Sequence, residues 1–157
     1  DNLIKIFSRF NYNFIFKIVG NGPELENLKK LTKSLNLEKK ITFIGKVPPE
    51  RIKFMIKNFD YFINSSDFEG FPNSVVEALS LGIPVIASQS HGGINEIIKN
   101  KNFGLIYNND TELEIILSKI LENKFKFKSN RNLINRHLQN FSESINVKKY
   151  SKVFLKI

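Results

Sequence analysis

Apolar positions recur along this chain in two alternating periods. Phe14–Gly20 (F-I-F-K-I-V-G) is an apolar run ending in glycine and predicts a buried strand. After the turn Gly20-Asn21-Gly22-Pro23, Leu25, Leu28, Leu31 and Leu35 fall at helical spacing and predict a helix over 24–35. Further strands are predicted at 41–44, 60–64, 84–87 and 104–107, the last of them edge-like. Helices are predicted between them, from Pro48-Pro49 to Lys57, over 72–81 and over 93–100. The chain opens on an amphipathic stretch, Asp1 to Phe10, and a further amphipathic helix over 111–123 carries Leu113, Ile116, Leu117, Ile120 and Leu121 on one face. Two basic helices follow, over 130–139 and 142–156.

Short strands alternating with helices predict an α/β fold, a Rossmann-like parallel sheet covered by helices on both faces. Ligands of such sheets bind beyond the carboxyl ends of the strands, so loops 20–23, 45–47 and 64–72 are expected to gather on one edge. The sequence divides into residues 1–122, which carry this pattern, and a basic segment, 123–157.

Composition narrows the classes of function. With 41% hydrophobic and 25% charged residues, a chain of 157 residues is long enough for one domain with a core. There are no cysteines and only two histidines, His91 and His137, which excludes disulfides, thiolate chemistry and a His/Cys zinc site. No metal is expected. No apolar run is long enough to span a bilayer, and a cytoplasmic location is expected. The net charge of +9 is uneven: residues 1–117 hold 14 Lys/Arg against 13 Asp/Glu, and residues 118–157 hold 10 against 2.

The densest chemical signal is S-D-F-E-G-F-P-N-S-V-V-E-A-L-S-L-G-I-P-V-I-A at 66–87. Pro72 suits a first helical turn and would leave the N–H groups of Asn73, Ser74 and Val75 without intrahelical partners, as donors for a diphosphate. Glu77 lies one turn further in, where a carboxylate beside a phosphate needs neutral hydroxyl donors such as a ribose diol. Glu69, ahead of the helix, could line the neighbouring position, where a sugar would sit. The plainer alternatives make Glu69 an exposed loop residue and Glu77 a helix residue stabilised by the macrodipole. Gly20-Asn21-Gly22-Pro23 fits either a phosphate loop or a tight strand-to-helix turn. Glu96 could line the same cleft or cap its helix. His91 reads as a neutral loop residue and His137 as a surface residue.

These motifs together resemble the C-terminal domain of retaining GT-B glycosyltransferases of family four. The resemblance rests on Ser66-x-x-Glu69-Gly70-Phe71-Pro72, Glu77-Ala78-x-x-x-Gly82-x-Pro84-Val85-x-Ala87, Gly92-Gly93-x-x-Glu96-Ile97-Ile98 and Gly104. Val19-Gly20-x-Gly22-Pro23 and Ile41-x-Phe43-x-Gly45-x-Val47 agree with it in order and spacing. It implies a nucleoside diphosphate sugar as substrate, with no cofactor and no metal. Glu77 would bind the ribose, and Asn73, Ser74 and Val75 the diphosphate. Glu69 would be the catalytic carboxylate, contacting the transferred sugar with Gly70 and Phe71, either as nucleophile or as electrostatic partner. The base would lie near Lys46 and Val47, with Gly20, Asn21, Gly22, Ser66 and Pro72 completing the donor site.

The same resemblance implies a basic G-R-x4-K-G type segment before Asp1 and an acceptor-binding N-terminal domain, neither of which this sequence contains. The 157 residues alone are therefore expected to show no glycosyl transfer. A glycan or lipid-linked acceptor of bacterial surface polysaccharide synthesis is expected by analogy. The basic, aromatic segment fits solvated helical faces packed on the domain, or peripheral docking on the anionic inner face of a membrane. Nucleic acid is not expected as a partner, because no RNA-binding motif is present. Two other classes share features with this pattern: a nucleotide-sugar epimerase or phosphorylase of the same architecture, and a non-enzymatic basic binding module.

Overall fold

In the computed structural model, which describes residues 1–68, 70–89, 92–99, 101–127 and 131–142, the two periods resolve into helices and strands in the expected order. The chain runs α1 (Asn2–Phe7), β1 (Phe16–Val19), α2 (Leu25–Ser34), β2 (Ile41–Gly45), α3 (Pro49–Ile56) and β3 (Phe62–Asn64). It continues through α4 (Asn73–Ser80), β4 (Val85–Ser88), α5 (Ile94–Ile97), β5 (Gly104–Tyr107), α6 (Asp110–Leu121) and α7 (Arg131–Leu138), followed by a 3-10 turn, Gln139–Phe141. The fold is α/β, with parallel sheets and flanking helices. The helix expected over 142–156 falls on residues outside the described ones, apart from Ser142.

The structure differs from the sequence expectation in two respects. The helix expected over 93–100 is a single turn, because Ile98 leaves the helical region at ψ 70°. Ile98 is nevertheless buried, at 7% exposure. The strands also divide over two sheets, β1-β2 and β3-β4-β5, where one sheet was expected. They belong to two compact units, Asp1–Met55 with Tyr107–Lys126, and Ile56–Ile106 with the described part of Phe127–Ile157.

In the first unit, β1 and β2 are parallel, pairing Phe16 with Ile41 and, across a bulge after Ile18, Val19 with Gly45. Ile4, Leu37 and Ile41 form a buried cluster, against which Phe16, Ile18, Leu28, Leu31, Leu35 and Phe43 pack. The leucine stripe of α2 therefore does what its spacing predicted. The expected burial of β1 needs correction, because Lys17 and Val19 are exposed while Phe16 and Ile18 face the cluster. One strand buries alternate residues when only one of its faces is covered. Phe7 of α1 stacks on Phe16 with ring centroids 4.7 Å apart. Asn109 caps α6 by accepting from the Glu112 N–H at 3.0 Å, and the Glu112 carboxylate accepts in turn from the Asn108 N–H at 2.7 Å.

In the second unit, β3 and β4 are parallel, with Asn64 opposite Ala87. β4 lies between β3 and β5, and all four of its residues are buried. That burial explains the V-I-A sequence, in which no residue is charged. Gly104 on β5 passes so close that a Cβ there would stand 2.2 Å from the Val85 carbonyl oxygen. α4 packs on β3 and β4, and α7 packs on α4. Val75, Ala78 and Leu79 of α4 and Ile134 of α7 are buried.

Replacing Gly104 by Ala should therefore cost about 1–3 kcal/mol of stability, because the added methyl has no room beside Val85. A shift of the urea midpoint measures it, and an unchanged midpoint would contradict the close approach. The Glu112 carboxyl is held below its ordinary range, chiefly by the Asn108 backbone N–H and then by the Asn108 side chain. A carboxyl whose folded value is depressed contributes stability above its unfolded value of about 4.3, and loses it as pH falls through the folded value. Thermal melts between about pH 5 and 3 should fall less steeply for Glu112→Gln than for the unsubstituted chain.

Candidate functional site

The segment between β3 and α4 is fastened at both ends by backbone and side-chain hydrogen bonds. Asn64 ends β3 and is 7% exposed, and its side-chain oxygen accepts from the Ser66 N–H at 3.2 Å. The Ser66 carbonyl accepts from the Ser88 hydroxyl at 2.6 Å. Ser88 is the last residue of β4, so the loop is tied to the carboxyl ends of both strands. Further along, the Gly70 carbonyl accepts from the Gly93 N–H at 3.1 Å, at the start of α5. Sequence reading singled out neither Asn64 nor Ser88, although each closes a strand next to a loop of interest.

Pro72 is buried and caps α4. Its carbonyl accepts from Val75 at 3.0 Å and from Val76 at 3.3 Å, while the Asn73 N–H donates to the Phe71 carbonyl at 3.0 Å. Against the expectation that the Asn73, Ser74 and Val75 N–H groups lack intrahelical partners, Val75 bonds back to the cap residue and Asn73 to Phe71 ahead of the helix, so two of the three donors are already used. A ligand oxygen would have to share or replace those bonds.

Glu77 is half-buried, four residues after Asn73 and three after Ser74. Side chains of a helix lean toward its N-terminus, which carries this carboxylate toward the start of α4. The Ser80 hydroxyl donates to the Glu77 carbonyl at 2.7 Å. Ahead of the helix, Phe68 and Phe71 are 81% and 43% exposed. The structure thus brings Ser66, Gly70, Phe71, Pro72, Asn73, Ser74, Val75 and Glu77 into one loop and helix start. Glu69 and His91 lie outside the described residues. Glu96 is exposed on α5.

Gly20, Asn21, Gly22, Lys46 and Val47 lie at the carboxyl ends of β1 and β2 in the first unit. Their two loops meet through the Gly20 N–H, which donates to the Gly45 carbonyl at 2.9 Å. Gly20 has φ +135°, a conformation that side chains rarely adopt. Lys46 is exposed and Val47 half-buried.

Among the described residues of the basic segment, two polar ones, His137 and Arg131, are engaged in the second unit. His137, expected at the surface, stacks on Phe103 with centroids 4.6 Å apart, and its Nε2 faces the Glu96 and Ile97 carbonyl oxygens. The spacing of Ile134, His137, Leu138 and Phe141 is that of one helical face, a signal that could have placed it there. The Arg131 guanidinium donates to the Leu81 carbonyl at 2.6 Å, at the C-terminal end of α4, where a cation is favoured. Among the described residues, no three His, Asp or Glu side chains cluster as a metal site, and no helix is long and apolar enough to cross a membrane.

The profile of the family described as glycosyl transferases group 1 matches residues 1–139. Over 110 residues the chain is 32% identical to the N-acetylgalactosamine-N,N'-diacetylbacillosaminyl-diphospho-undecaprenol 4-alpha-N-acetylgalactosaminyltransferase of Campylobacter jejuni, a match covering 70% of this chain and 30% of that protein. Over 92 residues it is 33% identical to the lipopolysaccharide 1,6-galactosyltransferase of Salmonella typhimurium, covering 57% and 26% respectively. Among solved structures, the apo form of the lipopolysaccharide outer core galactosyltransferase WaaB superposes with a TM-score of 0.84 at 24% identity, over 99% of this chain and 44% of that one. Anabaena HepE in complex with UDP gives 0.80 at 23% identity, over 97% and 44%. At such identities the structural likeness shows the fold, which is that of the C-terminal domain of GT-B enzymes. The chain spans less than a third of the length of these curated relatives. With a family profile matched over 139 of its 157 residues, the chain belongs to the group 1 glycosyl transferases.

Proposed function

We propose that this chain is the donor-binding part of a retaining glycosyltransferase that uses a nucleoside diphosphate sugar. The observation carrying this reading is the start of α4, where a helix N-terminus, a carboxylate one turn in and a loop fastened to two strand ends come together. Partial positive charge at the helix start suits a diphosphate, and the carboxylate of Glu77 suits the two hydroxyl donors of a ribose. Related structures support the ligand class, since Anabaena HepE was solved with UDP and with UDP-glucose.

In the proposed reaction the bond between the anomeric carbon and the β-phosphate oxygen breaks, and its electron pair leaves with the nucleoside diphosphate. A hydroxyl oxygen of the acceptor forms the new bond to that carbon, and its proton is lost. The partial positive charge at the start of α4 stabilises the departing negative charge, which lowers the barrier electrostatically. Gly70 and Phe71 flank the transferred sugar, and Glu69 supplies negative charge beside the developing positive charge at the anomeric carbon. Neither a metal nor a cofactor is needed in this scheme.

The acceptor class is a glycan or a lipid-linked glycan, as the names of the Campylobacter and Salmonella relatives suggest. The reaction would then take place on the cytoplasmic side of a membrane. For the basic segment we favour packing on the domain over peripheral docking on a membrane. Phe127 lies against Tyr61 at 5.8 Å and Phe141 against Phe71 at 5.6 Å, so two of its rings already have partners.

Calorimetric titration with UDP, GDP and ADP tests the reading. One of them should bind, and Glu77→Ala should weaken that binding about 10- to 100-fold, the loss of hydrogen bonds to a charged group. Glu77→Gln, which keeps an acceptor oxygen, should fall in between. Equal affinity for all three proteins, or no nucleotide binding at all, would contradict the assignment.

A further inference from the structure

A ring of contacts in the second unit leads from α7 back to the loop before α4 by two routes. Along the first, Phe141 in the 3-10 turn after α7 packs on Phe71, with centroids 5.6 Å apart. Phe141 also meets His137 edge-on at 5.3 Å. Along the second, the Nε2 of His137 lies 3.1 Å from the Glu96 carbonyl oxygen and 3.0 Å from that of Ile97, both in α5. Two carbonyl oxygens supply no hydrogen, so Nε2 carries one and donates it to the pair. From the start of α5, the Gly93 N–H returns to the Gly70 carbonyl at 3.1 Å. The ring closes there, because Gly70 and Phe71 are adjacent. It is also tight, since a Cβ at Gly93 would stand 3.1 Å from the Phe71 ring.

We propose that Phe141 and His137 are positioning residues, which hold Gly70 and Phe71 in place for the sugar half of the donor. This rests on the donor-binding reading above. Phe71 is 43% exposed and belongs to a loop, so without a support it would sample other positions. Ordering it only when ligand arrives would cost affinity, whereas a loop already held spends that cost on folding. The nucleotide half is treated differently by the structure. α4 packs directly on β3 and β4 with Val75, Ala78 and Leu79 buried, contacts that involve neither Phe141 nor His137.

The test uses Phe141→Ala, Phe141→Leu and Phe141→Tyr, read by amide hydrogen exchange and by calorimetry with UDP and with UDP-glucose. The Gly93 amide reports the ring directly, and the amides of Val85–Ser88 serve as the internal reference for intact folding. In the Ala and Leu variants, Gly93 should exchange about tenfold faster with the reference amides unchanged, and Tyr should restore it. Affinity for UDP should stay within about twofold while affinity for UDP-glucose falls about 2- to 10-fold. If Ala unfolds the unit, which the reference amides reveal, the Leu variant decides. Unchanged Gly93 exchange, or equal losses for UDP and UDP-glucose, would overturn the proposal. If the unsubstituted protein binds neither ligand and Gly93 still responds, the ring stands as a loop support and its use for a sugar donor falls.

Discussion

Parallel pairing of β3 with β4 is the constraint on which the candidate site depends. Two parallel strands deliver their following loops to the same end, and the register that sets Asn64 opposite Ala87 brings Ser88 level with the first loop residues. There the Ser88 hydroxyl can reach the Ser66 carbonyl, and Asn64 can turn its side chain back on the Ser66 N–H. An antiparallel pair would place those groups at opposite ends. β4 can sit between two strands because its residues are uncharged and because Gly104 leaves room beside the Val85 carbonyl. Loop, helix start and neighbouring α5 are consequences of that arrangement.

Electrostatics at the start of α4 is built mainly from backbone. No acidic residue lies in the first turn of α4, and no basic residue in its last. The helix instead meets a cation from elsewhere in the unit, Arg131, at its C-terminal end. That interaction favours the helix as a whole and leaves its N-terminus for negative charge. Glu77, half-buried one turn in, is the acidic group closest in sequence within the helix. In the proposed donor site it would serve as a hydroxyl acceptor beside an anion, since direct contact of two negative charges would be repulsive.

Much of the element order was legible because strands and helices bury residues with different periods. The stripe of Leu28, Leu31 and Leu35 predicted a core-facing helix and lines the cluster around Ile41. Lys17 marked β1 as half-exposed, yet a reading weighted by the apolar residues around it passed over the charge. The shortness of α5 was not legible, because the turn at Ile98 is a backbone conformation and not a residue type. In the candidate site, the glycine, proline and glutamate pattern of 66–77 drew attention to the loop that the structure fastens between β3 and α4. The hydrogen bonds that shape it could not be read, since they join residues up to 22 positions apart whose meeting depends on register. Arg131 and His137 looked like members of a charged surface for the same reason. Their partners are backbone carbonyls, 50 and about 40 positions away, and carbonyls leave no mark in a sequence.

Nuclear magnetic resonance of the amide groups during titration with UDP addresses most directly where the donor binds. The expected result is saturable shifts centred on Gly70, Phe71 and the first turn of α4 from Asn73 to Glu77. Shifts confined to the lysines of the basic segment, or spread weakly over the whole surface, would contradict a donor site at the start of α4.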